Sequence, residues 1–165
     1  MALDATPGSE SANSYVTVVE ANAYFVTRPH KSGWDSLIDK ENALISASRM
    51  LDWYMKWKGT KTTSIQAMEW PRAGVYEKNS YLIPNDIVPT RVKEAVCELL
   101  LFSISEDRVA ENELDGFSAL NVGPIKLQND FTHVRTSKKK VIPSHVNMIL
   151  SGLTNSSKIQ RLVRG

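Results

Sequence analysis

The chain has 165 residues and a mass of 18.4 kDa, and its 42% of hydrophobic residues exclude general disorder and suffice for one domain with a core. Its single cysteine, Cys97, excludes an intramolecular disulfide, and no segment reaches the roughly 18 to 20 apolar residues that span a bilayer. The net charge of +2 hides an asymmetry, because residues 1–125 carry 12 Lys and Arg against 17 Asp and Glu, whereas residues 126–165 carry 8 against 1.

The N-terminal third predicts two helices. Residues 1–13 are small and polar, have no signal-peptide pattern, and are expected to be flexible. Thr17 and Glu20 form a capping box that starts a short helix, which Pro29 ends. From about Asp39 to Lys58 the apolar residues recur with the helical period, with Asp39 as N-cap and Gly59 as the C-terminal glycine.

Residues 60–88 form a long connection that contains several aromatic and aliphatic side chains. Because loops of this length are usually functional or packed on the body, we expect an ordered loop and not a free linker. A second long helix follows, with Pro89 near its first turn and its end near Ser105. We expect its buried face to hold Val92, Ala95, Val96, Leu99, Leu100 and Phe102.

The C-terminal third changes in character. Residues 122–128 predict a short strand, and residues 131–135 are its expected partner. Pro143 starts a short apolar helix, and residues 154–165 form a basic arm. The sequence therefore predicts a mainly α fold: a small helical bundle over residues 1–153 with a long ordered loop, a short β-hairpin and an extended C-terminal arm.

The residues give little indication of catalysis. No two glycines are closer than Gly116 and Gly123, so phosphate-binding and dinucleotide loops are excluded, and the nucleophile motif G-x-S-x-G does not occur. His30, His133 and His145 stand apart in the sequence, without metal-ligand spacing. The pairs Asp35 with Asp39 and Glu94 with Glu98 are most simply solvated helix charges. We therefore expect no enzyme activity, no cofactor and no metal site.

Nucleic-acid binding is the stronger alternative. Lysine and arginine attract phosphates, and aromatic faces stack on bases. Such groups occur at residues 56–58 (KWK), at residues 70–72 (WPR) and at Lys138 to Lys140. However, Trp57 falls on the apolar face of its predicted helix, and the charge balance lacks the basic footprint of a dedicated binder. Trp53 lies off that face, where it is exposed or at an interface.

The order of several segments resembles a known family. The segments are ANSYV at 12–16, QAMEWPRAGVY at 66–76, LIP at 82–84, IVP at 87–89 and VGPI at 122–125. They resemble the head–tail adaptor, or connector, proteins of tailed bacteriophages, a family that is often labelled DnaT-like and single-stranded-DNA-binding. The resemblance reaches to about residue 153, so the last dozen residues are its least characteristic part.

This resemblance implies a structural protein of the virion neck that is in the host cytoplasm before assembly. Its copies would form a closed homo-oligomeric ring, expected to be twelve-fold, that docks on the portal protein. The ring would contact a tail protein or a stopper or nozzle protein on its other side. Double-stranded DNA would pass through it without specific binding, and no membrane would be involved. The alternative is a single-stranded-DNA-binding protein.

Two groups of residues are candidates for these contacts. We expect the basic arm to bind the portal through Lys158, Arg161, Leu162 and Arg164. In the long loop, Trp70, Arg72 and Tyr76 are expected to anchor the loop or to contact a neighbouring subunit. Arg72 would either pair with a nearby acid or reach that subunit.

Overall fold

The computed structural model describes residues 2–77, 79–104 and 141–155, together with the backbone of two strands between residues 119 and 128. The chain divides into two compact units, residues 1–105 with 142–165, and residues 106–141. The first contains α1 (Val18–Val26), α2 (Ser32–Asp35), α3 (Lys40–Tyr54), β1 (Thr60–Lys61), β2 (Arg72–Ala73), α4 (Thr90–Ser103) and α5 (Ser144–Ile149). The second contains β3 (Ala119–Val122) and β4 (Ile125–Gln128). The predicted mainly helical class is confirmed.

Local signals place the starts of the helices. The Thr17 side chain accepts from the Glu20 backbone N–H, and the Glu20 carboxylate accepts from the Thr17 N–H, as the capping box predicts. Asp39 caps α3 by accepting from the Asn42 N–H at 3.0 Å. Pro89 and Pro143 precede α4 and α5, since proline has no N–H to lose at a helix start.

The core lies where α4 packs on α3, α5 and α1. Phe25 of α1 stacks on Trp34 of α2 with ring centroids 4.8 Å apart. The expected apolar face of α4 is buried except for Phe102, which is only half-buried. The fully buried large side chains of the three longest helices include Phe25, Leu44, Leu51, Leu99 and Leu100.

The end of α3 differs from the prediction. The helix stops at Tyr54, and the following segment instead pairs with residues 153–155: the Lys58 N–H donates to the Leu153 carbonyl at 3.0 Å, and the Asn155 N–H donates to the Lys56 carbonyl at 2.7 Å. Gly59 is therefore not the helix cap. It has a φ of 68°, and a Cβ there would lie 2.2 Å from the Ala73 carbonyl oxygen, so the approach of β1 to β2 requires glycine.

The long connection is ordered in its described residues. β1 and β2 pair antiparallel, and residues 75–77 and 79–83 form a second small hairpin in which Tyr76 bridges to Leu82. Residues 2–14, which were expected to be flexible up to residue 13, form a loop around Asp4. The Asp4 carbonyl accepts from the Asn13 and Ser14 N–H groups, and its carboxylate accepts from the Ser11 hydroxyl at 2.8 Å.

The β-hairpin of the second unit is present, but with a different pairing. Strand β3 pairs antiparallel with β4, with Leu120 opposite Leu127, so the predicted strand over 122–128 is wrong. Gly123 and Pro124 separate the two strands, and proline has no N–H for a continuous ladder. The predicted partner strand, residues 131–135, lies outside the described residues.

Candidate functional site

The three candidate residues of the long loop have different surroundings. Trp70 is only 1% exposed, and its ring packs edge-on against Trp57 with centroids 5.7 Å apart. Arg72 is 7% exposed and donates to the carbonyls of Lys58 and Gly59, each at 2.7 Å, and to the Glu69 carboxylate at 2.6 Å. Tyr76 is 56% exposed. Trp70 and Arg72 therefore face the inside of the folded chain, and Tyr76 faces solvent.

A half-buried carboxylate, Asp52 of α3, links the loop to the helices. The Tyr15 hydroxyl donates to Asp52 Oδ1 at 2.5 Å and accepts from the Trp70 N–H at 3.2 Å, while the Glu69 N–H donates to Asp52 Oδ2 at 3.1 Å. We call these four residues the Asp52 network. Burial raises the pKa of Asp52 to about 6, although its hydrogen bonds lower it. Burial and the adjacent Asp52 also raise the pKa of Tyr15 well above its ordinary value.

A second carboxylate, Glu98 of α4, joins three helices. Arg28 binds it through Nε at 2.6 Å and Nη2 at 3.1 Å, and the Tyr24 hydroxyl donates to it at 2.7 Å. His145 Nε2 of α5 lies 3.4 Å from Oε2. We call these residues the Glu98 network. Burial by itself raises the pKa of Glu98, but the hydrogen bonds from Arg28 and Tyr24 outweigh it and lower the pKa.

Sequence reasoning missed both networks. Glu98 was predicted to be a solvated helix charge, but its side chain is only 8% exposed, and that prediction is wrong. Its position gave one usable signal, because Glu98 falls between the core positions Cys97 and Leu99. A charge inside a run of core positions is typical of a paired, buried group. Asp52 gave a weaker signal, because it follows the buried Leu51 but precedes the exposed Trp53.

A cleft of about 460 Å³ opens beside the Asp52 network. Its lining residues come from the N-terminal loop, α3 and the long connection: Ala12, Asn13, Arg49, Asp52, Trp53, Ala67, Met68 and Glu69. Trp53 is 68% exposed on its rim. We call this site the Trp53 cleft. It places an open aromatic face and an exposed arginine beside two carboxylates, Asp52 and Glu69.

Two further surfaces present apolar side chains to solvent. On α1, Val19, Ala23 and Val26 are exposed at positions i, i+4 and i+7, on the opposite side from the buried Ala21 and Phe25. We call these three residues the α1 stripe. On the 75–83 hairpin, Tyr76, Tyr81 and Leu82 are exposed, although the backbone is fixed by hydrogen bonds such as that from the Ile83 N–H to the Val75 carbonyl at 2.9 Å. Such ordered apolar surfaces are typical of interfaces.

The first two residues of the predicted arm belong to the body. Thr154 bridges to Trp57, and Asn155 bonds to the backbone of residues 56 and 57. The predicted portal-binding residues lie outside the described residues, and their role stays a prediction: Lys158, Arg161, Leu162 and Arg164. His133 and Lys138 to Lys140 also lie outside.

Within the described ranges, no three His, Cys, Asp or Glu side chains converge as metal ligands. The same ranges contain no helix with the length and hydropathy needed to cross a membrane. His145 lies in the Glu98 network, far in sequence from His30, and these are the two histidines that the structure describes.

A family model described as "Putative DnaT-like ssDNA binding protein" matches residues 1–165. No curated protein and no solved structure shows a significant match to the chain.

Proposed function

We propose that this chain, which belongs to the DnaT-like ssDNA-binding protein family, is a structural head–tail adaptor subunit, because its sequence segments resemble the phage adaptors that often carry this family label. Its copies form a ring, expected to be twelve-fold, in the neck of the virion. The role needs no catalytic group and no cofactor.

The observation that carries this proposal is the pair of ordered apolar surfaces on separate elements, the α1 stripe and the 75–83 hairpin. In a closed ring each copy contacts its neighbours head-to-tail, so every subunit must present two different surfaces. Isolated exposed apolar residues are common on monomers, but here they are grouped on a rigid helix face and a hydrogen-bonded hairpin. Burial against a second copy would remove both surfaces from water.

The uneven distribution of charged residues along the chain supports the remaining contacts of this proposal. The excess of acids in residues 1–125 suits a channel through which double-stranded DNA passes without being held, because like charges repel the phosphates. The basic arm docks on the portal through Lys158, Arg161, Leu162 and Arg164. A tail protein, or a stopper or nozzle protein, then binds the opposite side of the ring.

The arm is tested by co-sedimentation with portal rings from the same phage. Because Thr154 and Asn155 bond to the body, the truncated chain should end at Asn155 and not at Leu153. We expect chain 1–155 to keep its helical circular dichroism and melting temperature but to lose sedimentation with the portal. Full sedimentation of chain 1–155 would contradict the role of the arm.

The ring surfaces are tested on the α1 stripe. The double variant Val19→Asp with Val26→Asp places two charges on the proposed interface and should abolish rings on the portal, as counted by electron microscopy. Ile38→Asp with Ile65→Asp is the matched control, since it adds two charges at exposed aliphatic positions outside α1 and the 75–83 hairpin. Rings formed equally by all three proteins would exclude the stripe from the interface.

A second candidate function is binding of single-stranded DNA, which the family description favours. A labelled oligonucleotide titrated at two salt concentrations tests it, because phosphate contacts give an affinity that falls steeply with salt. Binding that persists at physiological salt, without attachment to the portal, would favour this second function over the adaptor.

A further inference from the structure

Trp53 differs from every other tryptophan of the chain. Trp34, Trp57 and Trp70 are all buried, whereas Trp53 is 68% exposed on the face of α3 that borders the Trp53 cleft. Its backbone lies within a regular helix, so the ring is presented from a rigid element. A fixed, open indole face is the usual platform for stacking a nucleobase.

The Trp53 cleft contains a cation without an ion pair. Arg49 lies one helical turn before Trp53, lines the same cleft and is exposed, and it has no ion pair with a described residue. Of the two acids of the cleft, Glu69 pairs with Arg72 at 2.6 Å and with Lys61 at 3.3 Å, whereas Asp52 accepts from the neutral Tyr15 hydroxyl and Glu69 N–H and keeps its own charge when ionised. The exposed guanidinium of Arg49 is therefore the group of this cleft that can bind a phosphate.

Further cations follow in the chain. Lys56 and Lys58 come directly after α3, are exposed, and likewise have no ion pair among the residues that the structure describes. They do not line the Trp53 cleft, and Lys56 lines another pocket with Tyr54 and Asn147, so Arg49 is the cation that the structure places in the cleft itself.

We propose that the Trp53 cleft binds single-stranded DNA, with one base stacked on Trp53 and an adjacent phosphate at Arg49. The inference rests on the second proposed function and locates it on the molecule. No base-specific hydrogen bond is required, so we expect binding to depend little on sequence.

The test uses the full chain and a fluorescein-labelled twelve-nucleotide oligo-dT, followed by anisotropy at low and physiological salt. We expect Trp53→Ala to weaken binding about 5- to 150-fold, because that is the range of one lost base stack. Trp53→Phe keeps a ring and should lose less. Arg49→Gln should weaken binding and also reduce its salt dependence.

Tyr54→Ala is the matched control, since it removes another exposed aromatic side chain of α3, one that does not line the cleft. A second readout is the intrinsic fluorescence of the unsubstituted protein. Because the other tryptophans are buried, unlabelled oligo-dT should quench mainly the emission of Trp53, and this quenching should disappear in Trp53→Phe.

The outcomes separate the site from the function. Weaker binding by Trp53→Ala with normal binding by Tyr54→Ala supports the site. If the unsubstituted protein binds oligo-dT and Trp53→Ala binds equally well, the site is wrong while single-stranded-DNA binding stands. If the unsubstituted protein does not bind oligo-dT at low salt, both the site and single-stranded-DNA binding are wrong.

Discussion

Asp52 and Glu98 are both helix carboxylates that accept a hydrogen bond from a buried or half-buried tyrosine and hold distant segments together. Glu98 also has a cation, the guanidinium of Arg28 at 2.6 Å, whereas Asp52 has only neutral donors, the Tyr15 hydroxyl and the Glu69 N–H. Their pKa values accordingly shift in opposite directions, up to about 6 for Asp52 and down for Glu98.

The difference teaches that burial alone does not determine how a carboxylate contributes to stability. Desolvation raises the pKa of both groups, and it is overcome only in Glu98, where the charge-assisted bonds of Arg28 act together with the Tyr24 hydroxyl. The Asp52 network therefore joins the loop to α3 through hydrogen bonds from neutral donors. The Glu98 network joins α1 to α4 through hydrogen bonds that include the charged Arg28 guanidinium.

The largest expected effect comes from removing the indole that the Asp52 network positions. Trp70→Ala should lower the free energy of unfolding by about 3 to 5 kcal/mol, because the ring is fully buried against Trp57. Urea denaturation measures it. Trp53→Ala is the matched control and should cost less than about 0.5 kcal/mol, since Trp53 is largely exposed. Equal costs would mean that the long loop does not pack as described.

The next effect is the pH dependence due to Asp52. Its pKa is higher in the folded protein, about 6, than the ordinary 3.8, so between these values the folded state binds more protons than the unfolded state. Stability from this group is therefore present at low pH and falls as the pH rises. The unfolding free energy of the unsubstituted protein minus that of Asp52→Asn should fall by about 2 to 3 kcal/mol between pH 4 and pH 7.

Removing the charge of Glu98 comes next. Glu98→Gln should cost about 2 kcal/mol near pH 7, because it weakens two charge-assisted bonds from Arg28. The pKa of Glu98 is lowered, so its contribution is present above the ordinary pKa and is lost as the pH falls through the lowered one. The cost should therefore decrease on acidification, opposite to the trend for Asp52.

Glu94→Gln is the control for that variant. Glu94 lies one turn earlier on α4, is half-buried, and has no ion pair or hydrogen bond with a described residue. We expect a change within about 0.5 kcal/mol at every pH. If Glu94→Gln and Glu98→Gln destabilise equally, the effect comes from the net charge of α4 and not from the Glu98 network.

The sequence predicted the parts of the fold that depend on local signals. The capping box at Thr17, the N-cap Asp39 and the start of α5 at Pro143 are satisfied within a few residues of the chain, so a sequence pattern is enough to find them. The end of α3 is different. Apolar periodicity continues to Trp57, but the backbone pairs with residues about 100 positions later, and that competition is not visible locally.

The networks were hidden for the same reason. The sequence left open whether Arg72 pairs with an acid or contacts a neighbouring subunit. Nothing in the WPR segment fixes where the carbonyls of Lys58 and Gly59 lie, and these are the groups that Arg72 binds. The partners Tyr15 and Asp52 are 37 residues apart, and Tyr24 and Glu98 are 74 apart. The Trp53 cleft was the partial exception, since Trp53 was placed off the apolar face from its helical position alone.

The smallest expected effect is the loss of a single tyrosine hydroxyl, from Tyr15 in one variant and from Tyr24 in the other. Tyr15→Phe removes a donor from Asp52 and leaves the Trp70 N–H without its acceptor, so we expect a loss of about 1 to 2 kcal/mol. Tyr24→Phe should cost no more than about 1 kcal/mol, because Glu98 keeps both bonds from Arg28. Both changes delete one hydroxyl and keep the ring, so urea denaturation at pH 7 isolates the hydrogen bonds. A larger loss for Tyr24→Phe would mean that the hydrogen bonds from Arg28 do not stabilise the Glu98 carboxylate. The contrast between a carboxylate with neutral donors and one with a charged donor would then fail.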